Sequence, residues 1–466
     1  MKQFIMVLVL GISGIIYAQV EFNTHIINHT ANGATGVYAV DIDEDGDIDV
    51  ISTSFGDAIL AWYENDGDEV FERHVIDSTI TGAVYARAVD LDNDGDMDII
   101  SGGFNSGRVT WHENDGSENF TNHVILTVNA VRSLVAADLD VDGDWDVVVA
   151  DASCCIKWYE NDGNMNFSGH TIAVGLANPR SVRVGDLNGD NDPDVVAAVY
   201  GNNTIYWYEN VGTTEFFPHI LSNNANGAIT LHLEDLDNDG DTDVLSASEA
   251  DNKIAWYESD GFGLFTPHII AVDAMRARWV YTADLDNDSD MDVISAARDD
   301  NHVVWYENNG SQGFDHTHVI SDSAPSANSV FAIDVDGDSD IDVLSASFGD
   351  HRIAWYENQL VVTDIEETDI PSLPSTIQLS QNFPNPLNPS TTIEYHLPAT
   401  SWVKLNIHNS NGQVIRTLVN SSHSPGVYHI QWDGKDETGN PVASGVYFYQ
   451  IQTDHHKLTQ KMLLVR

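Results

Sequence analysis

The chain has 466 residues, a length that accommodates about three domains, and carries 73 acidic against 19 basic side chains for a formal charge of −54. Such a surface repels phosphate backbones and anionic lipid headgroups, which makes nucleic acid and membrane surfaces poor candidates as partners. Hydrophobic residues make up 42% of the chain, too many for a disordered acidic polymer, so this is a folded protein with acid in specific places.

The first element is the apolar run Phe4 to Ile16, preceded by Lys2 and followed by Tyr17 and Ala18. It reads as a signal peptide over residues 1–18 and is too short to span a bilayer. The mature chain is expected to start near Gln19, outside the cytoplasm and without a membrane span. The two cysteines, Cys154 and Cys155, are adjacent, which makes an ordinary disulfide difficult, and two idle thiols are expected rather than the alternative, a rare vicinal bridge.

Residues 19–358 form a repeat. Asp-rich runs begin at Asp41, Asp90, Asp138, Asp186, Asp235, Asp284 and Asp334, spaced by 48 to 50 residues. Each unit has an apolar run, the Asp run, a second apolar run, a Trp segment and, in most units, a Phe-x-x-His segment. Four short strands repeated at this period predict a β-propeller, and the count predicts seven blades. The Trp segment carries Trp62, Trp111, Trp158, Trp207, Trp256, Trp305 and Trp355, and turns such as Asn65-Asp66-Gly67 close hairpins after it. The Phe-x-x-His segment is missing after Trp355 and stands instead at the N-terminus as Phe22/His25. The first strand should therefore complete the last sheet and cover its edge. The repeated histidines lie on different outer strands, and packing is their expected role.

The first Asp run sets Asp41, Asp43, Asp45, Asp47 and Asp49 at every second residue around Gly46. The others are Asp90, Asp92, Asp94, Asp96 and Asp98; Asp138, Asp140, Asp142, Asp144 and Asp146; Asp186, Asn188, Asp190, Asp192 and Asp194; Asp235, Asp237, Asp239, Asp241 and Asp243; Asp284, Asp286, Asp288, Asp290 and Asp292; and Asp334, Asp336, Asp338, Asp340 and Asp342. A curling loop gathers such carboxylates around a hard cation, and many oxygen ligands suit calcium. Each run opens like an EF-hand loop but lacks its twelfth-position glutamate, so the expected affinity is about 10⁻⁴ to 10⁻³ M. The fourth run has Asn188 and Pro193 and should hold the weakest of up to seven structural calcium sites. Glycine is missing from the sixth position in three runs, near Asp192, Ser289 and Ser339.

This pattern resembles the calcium-binding FG-GAP or VCBS repeats of integrin-like β-propellers over about 340 residues. The resemblance implies a structural cation in the loop between the first two strands of each blade. Its ligands would be the side chains at the first, third, fifth and ninth positions of each run.

After Asn358 the pattern stops, and residues 359–377, with Pro371 and Pro374, read as a linker. From Gln378 short alternating segments predict a small immunoglobulin-like β-sandwich over residues 378–466. Its Asn382-Phe383-Pro384-Asn385-Pro386 opening, Gly445-Val446-Tyr447-Phe448-Tyr449 strand and Lys461-Met462-Leu463-Leu464-Val465 ending resemble the C-terminal sorting domain of type IX secretion substrates. That resemblance implies the secretion machinery as partner, passage through the periplasm, and a secreted or outer-surface destination.

No nucleophile elbow, phosphate loop or zinc pattern occurs. Residues that break the repeat fall opposite the Asp loops. Fourteen residues past each first Asp stand Phe55, Phe104, Ala152, Tyr200, Glu249, Arg298 and Phe348, and just before the inner strands stand Arg132, Arg180, Arg276, Arg278 and Trp279. Aromatics stack on sugars and Arg pairs carboxylates or sulfates, so Phe55, Phe104, Arg132, Arg180, Tyr200, Arg278, Trp279, Arg298 and Phe348 are candidate ligand contacts. The expectation is a non-catalytic binding or adhesion module for a glycan, an acidic polysaccharide or a surface protein. The alternative is a polysaccharide-active enzyme with His232 or Tyr281 as base.

Overall fold

A computed structural model describes residues 17–67, 69–212, 215–311, 313–363, 377–398, 401–423, 426–453 and 456–465. Most of the expected signal peptide, and Pro371 and Pro374 of the expected linker, lie outside these residues. The chain divides into two compact units, one of Gln19–Val361 and one containing Val362–Arg466.

The first unit is all β, in repeated four-stranded antiparallel sheets arranged as in a β-propeller. Ala34–Val40, Asp49–Ser54, Ile59–Asn65 and Phe71–Asp77 make one sheet in chain order, and sheets starting at Ala83, Val131, Pro179, Ala228 and Ala277 repeat it. A further sheet takes Ala327–Ile333, Asp342–Ser347 and Arg352–Thr363, and Tyr17–Asn28 pairs with the last of these at the edge. The displaced Phe22/His25 copy thus occupies the outer-strand position of that sheet.

Burial follows the strand order. Second strands such as Asp49–Ser54 and Asp146–Asp151 are buried at every residue, because both faces are covered by neighbouring sheets. Outer strands such as Phe71–Asp77 are largely exposed. Each inner strand packs against the next one, and Ala34–Val40 packs against both Ala83–Val89 and Ala327–Ile333. Hydroxyls join these neighbours: Thr35 donates to the Ala83 carbonyl at 2.7 Å, and Ser133 accepts from the Val182 N–H at 3.3 Å.

The histidines pack as expected. His25, His74, His123, His170, His219, His268 and His318 each lie 4.4–4.8 Å, centroid to centroid, from the Trp of their own sheet. Each also meets a Glu two residues past that Trp at 2.6–2.8 Å. His25 does so across the chain, with Trp355 and Glu357.

One expectation is corrected. Cys154 and Cys155 are joined as a disulfide and no described cysteine is free. Their Cα atoms are 3.8 Å apart, below the usual range, and the pair sits in the turn that links Asp146–Asp151 to Cys155–Asn161. There the Cys154 N–H bonds the Asp151 carbonyl at 3.0 Å, closing the turn.

The second unit has two sheets: Gln378–Leu379, Thr391–Leu397 and Gly426–Trp432 in one, and Val414–His423, Ser401–Asn409, Gly445–Gln452 and Lys457–Leu464 in the other. Trp432, Tyr395, Tyr449 and Met462 are fully buried in a core of its own. Asn382 is buried, its N–H donating to the Tyr449 hydroxyl at 2.8 Å and its amide to Thr391 at 2.9 Å.

The edge strand generates a prediction. Deleting Gln19–Asn28 strips Trp355 of its His25 cover and exposes a sheet edge, so the melting temperature should fall clearly in a thermal scan. An unchanged midpoint would show that this strand does not hold the sheet.

Candidate functional site

Each Asp run leads from an inner strand into the fully buried second strand, which opens with the ninth-position Asp. The Asp49 carboxylate accepts the Ile42 N–H at 3.1 Å and the Asn65 N–H at 2.8 Å. Asp98 takes Leu91 and Asn114 in the same way, as do Asp146, Asp194, Asp243, Asp292 and Asp342 with their equivalents, at 2.7–3.2 Å throughout. This Asp was expected to close a cation shell; the structure makes it the clasp between the loop, the second strand and the end of the third.

The loop is curled by left-handed residues. Gly46 has φ +102°, and where glycine is absent Asn191, Ser289 and Ser339 take the same region at 69°, 76° and 79°. At the fourth position even Val141, β-branched, sits at φ 60°, strain that the surrounding hydrogen bonds impose. The first-position carboxylate accepts the sixth-position N–H, as Asp41 does from Gly46 at 3.0 Å.

This curl gathers oxygens. One carboxylate oxygen each of Asp41, Asp43 and Asp45 lie within 4.8 Å of one another, as do those of Asp90, Asp92 and Asp98, of Asp138, Asp140 and Asp146, and of Asp235, Asp237 and Asp239. Several have no hydrogen-bond donor although buried: Asp41 Oδ1, Asp140 Oδ1 and both oxygens of Asp286, which is 4% exposed. Burial, then the charge of Asp288, pushes Asp286 up to about 7, and burial pushes Asp292 up to about 9. Orphaned hard-oxygen donors at this density fit a divalent cation. The seventh-position side chains turn elsewhere, with Asp47, Asp96, Asp144, Asp192, Asp241 and Asp290 against the glycine of the following turn and Asp340 accepting the Leu360 N–H. In the fourth run the Asn188 amide donates to Asp190 at 3.0 Å.

A second feature lies at the other end of the inner strands, a cavity of about 200 Å³. Seven of the nine candidate ligand contacts line it: Phe55, Arg132, Arg180, Arg278, Trp279, Arg298 and Phe348. The other two stand behind: the Arg132 guanidinium lies 3.7 Å over the Phe104 ring, and that of Arg180 lies 4.9 Å over Tyr200. Arg132, Arg180 and Arg278 occupy the second position of their inner strands, one step inside the expected place. Burial and the neighbouring charges of Arg180 and Arg278 push Arg132 down to about 9. Arg278 is shared between Glu249 at 3.2 Å and Asn328 at 2.8 Å, while Arg276 is committed to Glu249.

Sequence reasoning missed Arg183 and Tyr85, which also line the cavity. They are the fifth and third residues of Pro179–Gly185 and Ala83–Val89, and their signal was a polar or aromatic break at a position where Val135 and Ser133 stand in another unit. The proposed bases stand on inner strands that also line the cavity, but are not among its lining residues: His232 Nε2 meets the Thr282 hydroxyl at 2.9 Å and is pushed down to about 3 by burial and by Arg183 and Arg87. Burial pushes Tyr281 up to about 12.

Among known proteins, the chain matches the FG-GAP-like repeat family at residues 41–101, 90–149, 138–197, 186–246, 235–295 and 284–345, and the FlgD Ig-like domain at residues 388–456. No curated protein sequence matches it. Among solved structures it is similar to PorZ, an essential bacterial surface component of the type-IX secretion system of Porphyromonas gingivalis, at 12% identity and a TM-score of 0.45 over 91% of this chain. The chain spans 58% of PorZ. It is also similar to an auxiliary nutrient binding protein from Bacteroides ovatus, at 8% identity and a TM-score of 0.40, covering 74% of this chain and 94% of that one.

The clasp can be tested apart from any metal. In excess chelator, Asp98→Ala leaves the Leu91 and Asn114 amides buried without an acceptor, and denaturant unfolding should show a loss of about 2–4 kcal/mol. A loss under 0.5 kcal/mol, within the usual range for surface changes, would mean the carboxylate does not hold the loop.

Proposed function

The chain belongs to the FG-GAP-like repeat family, and on that premise we propose that it is a non-catalytic binding module: a secreted or surface-held seven-bladed propeller, stabilised by calcium, that takes an anionic glycan in its arginine cavity. The observation that carries this reading is one of charge. Up to Asn358 the chain has only 13 basic side chains, and five of them, Arg132, Arg180, Arg183, Arg278 and Arg298, line one cavity beside aromatic rings. Concentrating scarce positive charge in one partly buried place is costly without an anion to meet it. An enzymatic reading is less well supported, since a general base works best with a pKa near the operating pH and neither His232 nor Tyr281 is poised there.

Calcium is proposed for the Asp loops because their buried, donorless oxygens suit a hard cation of high coordination number. The ligands would be the first, third, fifth and ninth side chains of each run. The ninth is already held in place by two amides, so the shell is partly organised before a cation arrives. The seven blades rest on the repeat count and on the edge strand Tyr17–Asn28. Export is proposed to follow the type IX route, with residues 378–466 as the address, on the strength of the Asn382-Phe383-Pro384-Asn385-Pro386 and Lys461-to-Val465 motifs. Among the described residues no helix is long and apolar enough to cross a membrane.

The binding reading is tested by passing the mature protein over immobilised acidic and neutral polysaccharides while assaying for unsaturated products. Retention on acidic polymers without product is expected, and product formation would overturn the non-catalytic reading. Calcium should raise the melting temperature by mass action, and chelation should lower it. Asp43→Ala should diminish that shift more than Asn188→Ala, because it removes a charged oxygen; a calcium-independent midpoint would sink the cation assignment. Removing residues 378–466 should leave a folded propeller in the periplasm of the exporting cell. Finding it still at the surface or in the medium would refute the address.

A further inference from the structure

The arginine cavity has a floor. Tyr85 and Trp279, on inner strands of two sheets that share no hydrogen bonds, approach to 6.4 Å between ring centroids. Two residues further along the strands, Tyr38 and Tyr281 each pack on Phe331, at 4.7 and 5.0 Å, and His232 packs on Tyr281 at 4.6 Å. The Arg87 guanidinium covers Tyr38 and Tyr85 at 4.7 and 4.5 Å. A polymer arriving from the Phe55 and Phe348 side meets these packed rings.

The space above that floor is about 200 Å³, smaller than the roughly 300–1,000 Å³ of pockets that take a drug-sized ligand. It has room for one ring-sized group. Its chemistry is also specific. The Nε atoms of Arg132 and Arg180 are buried without a hydrogen-bond partner, and Arg183 donates to the Val182 carbonyl at 2.8 Å. Among the described residues none of these three is in an ion pair, unlike Arg278. Ser133 and Ser181 accept backbone N–H groups at 3.3 and 3.2 Å and keep their own hydroxyl protons to donate. Guanidinium groups, hydroxyl donors and an indole face together suit a ring that carries both a carboxylate and hydroxyls.

We infer that the cavity binds a single acidic sugar at the end of a polysaccharide chain, its carboxylate between Arg132 and Arg180 and its ring against Trp279. Recognition is end-on, and the rest of the chain leads out past Phe55 and Phe348. This rests on the proposed binding function and narrows it to chain ends. The buried position of Arg132 and the depression of its pKa by burial mark the charge that the carboxylate would neutralise.

Titration calorimetry on the mature full chain tests it, with digalacturonate, diglucuronate and dimannuronate as probes, cellobiose as neutral control, and the matching polyuronates at known chain length. At least one uronate should bind with an affinity that, counted per chain end, is the same for disaccharide and polymer, and cellobiose should not bind. Arg132→Gln and Arg180→Gln should weaken that binding at least about tenfold, while Arg73→Gln, an exposed outer-strand change that removes the same charge, leaves it intact. Arg298→Gln, in a turn outside the strands, should weaken binding several-fold and serves if an inner-strand change impairs folding. Affinity that scales with total uronate, or that survives the cavity variants, overturns end-on recognition but leaves polysaccharide binding standing. Binding of neither disaccharides nor polymers overturns both.

Discussion

The structure of the repeat depends on one interaction, a buried aspartate accepting two backbone amides. An amide donor shut away from water without an acceptor costs about 1–3 kcal/mol, and at each Asp loop the ninth-position carboxylate satisfies two. It does so from the first residue of a strand that is buried on both faces. Because the two amides come from the loop before and the hairpin after, one side chain ties three segments that hydrophobic packing alone would leave free to slide. The other loop carboxylates can then be crowded together without unravelling the sheet. Crowding them is what makes a cation site possible.

Charge also separates along the strands. Acidic side chains gather at one end of each sheet, where backbone amides, and the proposed cation, would offset their repulsion. At the other end the chain places Arg132, Arg180, Arg183, Arg278 and Arg298, with Glu249 answering Arg278 and Arg276. Charge at a distance is screened beyond about 8 Å at physiological salt, so the net −54 does not keep an anion from this cavity once it is near. What it feels there is the local cluster.

The repeat, its four strands and the cavity rim were legible because each leaves a period or a break in a period. Phe55 and Phe348 stand out only because Ala152 holds the same place in another unit. The double duty of Asp49 and its equivalents was not legible, since a carboxylate reads the same whether it faces an amide or a cation. Arg183 and Tyr85 were passed over because alternation along an inner strand marks a residue as polar without saying that several sheets aim it at one point. The Cys154–Cys155 bond was not legible, since adjacency in sequence argues against an ordinary disulfide and says nothing of the turn in which the pair sits.

The position of the site within the fold bears on what it can recognise. Residues on one strand face a flat surface, but residues taken from the same position of successive inner strands face one another across a short gap. Arg132 and Arg180 come from neighbouring sheets and Trp279 from a third. A ligand held by all three must fit between sheets whose spacing is set by the small residues and hydroxyl bonds of the inner strands, such as Ser133 to Val182. The rigid repeat therefore fixes the distance between the arginines, and the few residues that depart from the repeat decide the chemistry. Selectivity can change here by single substitutions at the second, third and fifth positions of inner strands, without disturbing the aspartate clasps at their other end.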